Sequence, residues 1–177
     1  MTEFIRDAAA TAAVLGFFAA SWFGWAQDAP PPSWRRALLA GSVVSLLTAV
    51  VGGVLAWRTW TDGTAFDDDT SRAFGVVVGV ELALAGLGAA VLTMRRRSDV
   101  IPAWVALVVG LHLFPIAALL DYPMLYVVAG LVSLVALAAV PLARARDLAV
   151  SAVTGLGAGT VLLIAAVVSL AETVLRR

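Results

Sequence analysis

The stretch VIPAWVALVVGLHLFPIAALLDYP, residues 100–123, decides how the chain is read. It carries about 20 apolar residues, the length a helix needs to cross a hydrocarbon core of roughly 30 Å. His112, the only histidine, stands in its middle. Pro115 follows three residues later, and Asp121 and Tyr122 stand at its end. The stretch therefore reads as a membrane-spanning helix with a polar site halfway along, because a polar ring in hydrocarbon is costly unless it has a partner.

Outward from this stretch the same pattern repeats. Apolar windows of spanning length occupy residues 8–26, 37–57, 73–94, 100–120, 124–142 and 148–170, the last with an apolar continuation toward the C-terminus. The runs lack the apolar/polar alternation of a membrane barrel, so strands are not expected. The predicted fold is all-α: one polytopic six-helix transmembrane domain over residues 1–177, arranged as three hairpins. The first window is not read as a signal peptide, because its leading segment MTEFIRD has two acids against one arginine.

Composition agrees. Of 177 residues 62% are hydrophobic and only 14% charged, where about a quarter is usual in soluble domains. The formal net charge is zero, so no nucleic-acid partner is expected. Absence of cysteine excludes disulfides, thiolate metal sites and cysteine nucleophiles. The basic residues are all arginine, in an alanine-rich chain, a composition read as bacterial.

The turns fall into two classes. Arg35 and Arg36, Arg95 to Arg97, and Arg144 with Arg146 follow the first, third and fifth helices. The opposite side has Arg6, Arg58, Arg72, Arg176 and Arg177, with acids Asp62, Asp67, Asp68 and Asp69. Seven arginines against five place the tight basic turns in the cytoplasm and both termini outside, in a bacterial inner membrane. Ser33, Asp99 and Asp147 are expected to cap the helices after those turns. Trp22, Trp25, Trp34 and Trp104 on the cytoplasmic side, and Trp57 and Trp60 outside, are expected to anchor the interfaces.

Small residues recur four apart: Ala12, Gly16, Ala20 and Gly24; Gly41 and Ser45; Gly75, Gly79 and Ala83; Ser151, Gly155 and Gly159. Such faces let backbones approach closely, either within one bundle or across a homodimer seam.

Glu81 and His112 carry the functional reading. Glu81 lies nine residues beyond Arg72, and His112 nine before Asp121. At 1.5 Å per residue both sit about 13 Å from the outer boundary, on consecutive antiparallel helices. Three outcomes are open. The pair lines a cavity open to the outside and exchanges protons or grips a ligand, it is a buried link that fixes helix packing, or the two groups do not meet. Tyr126, Asp121 and Tyr122 are expected at the outer mouth of this region, with Asp121 also read as the cap of the fifth helix ahead of Pro123. Pro115 lacks an N–H and frees the Leu111 carbonyl beside His112. Glu172 and Arg176 are spaced as an ion pair. Asp67, Asp68 and Asp69 read as a solvated turn.

The run GLHLFPIA at residues 110–117, with Tyr122, Pro123, Tyr126 and Gly130 after it, resembles a G-x-H-F-x-P-L-A pattern of uncharacterised small bacterial membrane proteins. Leu113 and Phe114 invert the position of the aromatic. The resemblance implies no activity; it singles out His112 and Pro115.

The expected function is a small integral membrane protein that binds or transports a small ligand or protons at Glu81 and His112. The alternative is an accessory subunit that packs a membrane partner or a second copy through its small-residue faces. No catalytic residue, metal site or cofactor is assigned: one histidine with scattered acids makes a poor ligand set, and G-x-S-x-G and H-E-x-x-H are absent.

Overall fold

A computed structural model describes residues 4–176. Residues 1–3 of the leading segment, and Arg177 among the arginines assigned outside, lie beyond them. Six long helices account for most of the described chain: α1 (Ile5–Ala26), α2 (Arg35–Arg58), α3 (Asp68–Met94), α4 (Ile101–Leu119), α5 (Pro123–Ala145) and α6 (Val150–Leu175). All six are long and apolar enough to cross a membrane.

The core lies between α1, α4, α5 and α6, where Leu15, Leu113, Ile116, Val128, Val132 and Leu162 are buried together. α2 packs on α1 and α6; α3 packs on α4 and the short turn Ser98–Val100. The helices paired in the expected hairpins, α1 with α2, α3 with α4 and α5 with α6, touch, and α1 also packs extensively on α6, and α4 on α5.

Small residues set the closest crossings. A Cβ on Gly52 would lie 2.7 Å from the Ala13 nitrogen, and one on Gly16 2.9 Å from the Ala49 nitrogen, so α1 and α2 meet backbone to backbone. A Cβ on Gly155 would lie 2.8 Å from the Ala26 nitrogen, which joins α6 to α1. The small faces of α1, α2 and α6 are thus used inside the chain. Gly75 and Gly79 on α3 have no such neighbour within 4 Å.

The capping expectations fail. Trp34, Val100 and Ala149 occupy the N-cap positions of α2, α4 and α6, and none makes a side-chain cap bond. Asp147 instead ends α5 in a left-handed conformation, φ 52°, as Asp121 ends α4 at φ 46° and Arg96 ends α3 at φ 56°. In all three turns the next amide reaches back to an orphan carbonyl: Arg97 to Leu92, Tyr122 to Ala117 and Leu148 to Ala143. Asp121 is therefore a C-terminal stop of α4, not the cap of α5; Tyr122 takes the cap position, with Pro123 first in the helix. The side chain that does cap is Asp67, which accepts from the Thr70 amide at 2.7 Å and starts α3 five residues before its apolar window.

Asp7, buried in the first turn of α1, accepts from the Thr64 hydroxyl at 2.8 Å and the Ala65 amide at 2.7 Å. Arg6 donates to the Trp60 carbonyl at 2.9 Å and stacks on its ring. The start of α1 and the α2–α3 connection thus share one end of the bundle.

Candidate functional site

α4 presents two faces. Ala106, Gly110, Leu113 and Ala117 point into the core. Trp104, Val108, His112 and Pro115, spaced four, four and three apart, face α3. On α3 the matching row contains Val77, Glu81, Leu84 and Gly88. Two contacts fix one antiparallel register. The Trp104 indole covers Gly88 and donates from Nε1 to the Leu84 carbonyl at 3.2 Å. About two turns along, His112 Nε2 meets Glu81 Oε2 at 3.2 Å. The equal depth expected of the two groups is realised as a direct contact, with their side chains 16% and 15% exposed.

His112 Nδ1 lies 2.7 Å from the Val109 carbonyl oxygen. A carbonyl only accepts, so Nδ1 carries a hydrogen. Nε2 then either accepts from a protonated Glu81 or, on an imidazolium, donates to a Glu81 carboxylate. Both forms hold one proton between Nε2 and Oε2 and are neutral overall. Loss of that proton leaves one negative charge and two facing lone pairs. The geometry thus lets the pair share one proton.

The surroundings are apolar. Val76, Val77, Val80, Leu107, Leu111 and the Trp104 ring line a groove of about 350 Å³ that contains both Glu81 and His112. Val76, Val77 and Pro115 also line an adjoining hollow of about 560 Å³, which ends at Asp69 and Arg72. The α3–α4 seam therefore leads from the pair toward the start of α3. α4 stays helical through Pro115, which cannot donate to the Leu111 carbonyl. No family model, curated protein or solved structure matches the chain. What this site can do rests on its own chemistry.

The other expected site residues lie elsewhere. Tyr126 is exposed and its ring sits 6.3 Å from that of Phe114, on a different face of α4 from His112. Asp121 is exposed in its turn. Tyr122 is 1% exposed, with its hydroxyl 3.0 Å from both Ser169 Oγ and Glu172 Oε2. Having one proton, it donates to Glu172 and accepts from Ser169. Glu172 also accepts from Arg176 at 3.2 Å, so the expected ion pair forms but is tied into a buried network joining the α4–α5 turn to α6. Burial, and the Glu172 charge beside it, push the Tyr122 phenol up to about 12. Sequence reasoning missed Trp104 as the clasp between α3 and α4; the four-residue steps that link it through Val108 to His112 were the available signal. Among the described residues no three potential ligands cluster to hold a metal.

Proposed function

We propose that the chain is a six-span membrane protein whose Glu81–His112 pair takes up and releases a proton or small ligand from the outer side. The inner membrane of a bacterium, with both termini outside, is the setting the arginine distribution favours. The observation that carries the reading is the 3.2 Å contact between an acid and the only histidine inside an apolar groove. An ionisable pair at that depth costs several kcal/mol that a packing role alone does not require. The groove runs toward Asp69 and Arg72, at the end assigned outside.

The test uses the protein reconstituted in vesicles. Infrared spectra should show a carboxylic-acid band that changes with pH, together with proton flux under an imposed gradient. Glu81→Gln should lose both while keeping its helicity and thermal unfolding. A variant that conducts like the parent and retains the band overturns the proposal.

One observation favours the accessory-subunit reading as a second. No residue of α3 is fully buried, and its Gly75 and Gly79 face has nothing against it. A stoichiometric partner or a dimer that Gly75→Leu dissociates would support it.

A further inference from the structure

The groove beside the pair has the chemistry of a particular ligand. Its walls are valine and leucine side chains, so whatever fills it has an apolar body. Its one acid is Glu81, and its one indole is Trp104, a side chain whose π face attracts cations. Arg72, the cation of the adjoining hollow, already faces Asp69 at 3.5 Å. An anionic ligand would find no unmatched positive charge there, whereas a cation finds a carboxylate once the shared proton has left.

We propose that the groove binds a hydrophobic ammonium cation, exchanged one for one against the proton held between Glu81 and His112. This rests on the proton-exchanging reading of the pair given above. The exchange balances: the neutral protonated pair plus the ammonium ion gives a Glu81 carboxylate paired with the ammonium, neutral His112, and one released proton. His112 keeps its Nδ1 hydrogen on Val109 throughout, and its freed Nε2 accepts an N–H where the ammonium has one. The site is neutral before and after, so neither state strands a charge in hydrocarbon. Of the charged groups on elements packed against α3, His112 alone touches Glu81. Asp99, in the turn before α4, lies at the opposite end of α3, and Asp69 and Arg72 lie at its start.

The experiment is calorimetric titration of the full chain in lipid nanodiscs with benzyltrimethylammonium, whose charge is permanent. Affinity should rise up to about tenfold per pH unit while the pair is protonated. Repeating the titration in buffers of different ionisation enthalpy should give one proton released per cation. Neopentylbenzene, the neutral isostere with carbon in place of nitrogen, should compete poorly. Glu81→Gln should abolish binding, and Glu81→Asp, with its shorter reach, should bind more weakly but keep the pH dependence. pH-independent affinity, equal competition by the isostere, or no binding by the parent overturns the inference. In the last case a Glu81 acid band that still responds to pH leaves the proton site standing; if that band is also unresponsive, both readings fall.

Discussion

Replacing Tyr122 by phenylalanine separates the two roles open to this residue, mouth of the site or brace of the bundle. Its hydroxyl is fully buried and donates to Glu172 while accepting from Ser169. Losing a buried hydrogen bond to a charged group costs about 1.5–3 kcal/mol. A loss of about 2 kcal/mol at neutral pH is therefore expected, with Glu172 still held by Arg176. The parent should carry a second signature. Its phenol is raised from 10.0 to about 12. A raised folded value stabilises fully below the unfolded value and is lost as pH climbs through the folded one. Each pK unit is worth about 1.4 kcal/mol, so the parent should lose about 1.4 kcal/mol by about pH 11 and about 2.7 kcal/mol in the limit. Tyr122→Phe lacks this term, and the two stability curves should converge in alkali. Tyr126 is present in both proteins and does not contribute to the difference. Denaturant unfolding in detergent at a series of alkaline pH values measures both effects, and the proton flux proposed for Glu81 should be unchanged. Equal stability at neutral pH with parallel alkaline curves, or lost flux in a stable variant, would refute the buried-brace account.

Gly52→Val forces side-chain atoms into the Ala13 backbone, where a Cβ alone would sit 2.7 Å from the nitrogen, and should cost about 1–3 kcal/mol by thermal unfolding. Gly88→Val should displace the Trp104 ring, visible as a shift in tryptophan emission, and weaken the Glu81–His112 contact without unfolding α1, α2 or α6. The Thr70 amide, then the Thr70 hydroxyl, hold the Asp67 carboxyl below its usual 3.8, so the first turn of α3 should fray as pH falls below that value. Faster amide exchange at Thr70 and Ser71 reports it; Asp67→Ala should show it at every pH and Asp67→Asn far less. Because the chain has no cysteine, Asp62→Cys and Ser98→Cys give clean topology probes. An impermeant thiol reagent should reach the first from outside and the second only after permeabilisation; the reverse result inverts the assigned orientation.

Much of the site was legible in the sequence because depth along a helix is a matter of counting. Nine residues from Arg72 and nine from Asp121 put Glu81 and His112 at one level, and they meet. Direction around the helix was harder to read in α4 and α5, where apolar residues stand on every side, so hydrophobicity does not say which face meets which neighbour. Tyr126 shows this: it starts beside the same turn as Tyr122, yet one ring is exposed and the other buried.

The sequence by itself determined that there are six apolar helices and which end of each carries charge, because length and hydropathy are properties of one segment at a time. It also carried the ion pair of Glu172 with Arg176, since four residues make one helical turn. Only the tertiary structure decided that α1 lies against α6, that Trp104 seats on Gly88, and that Tyr122 reaches across to Ser169. Those contacts join residues far apart in the chain, and their geometry depends on how closely glycine and alanine let two backbones approach.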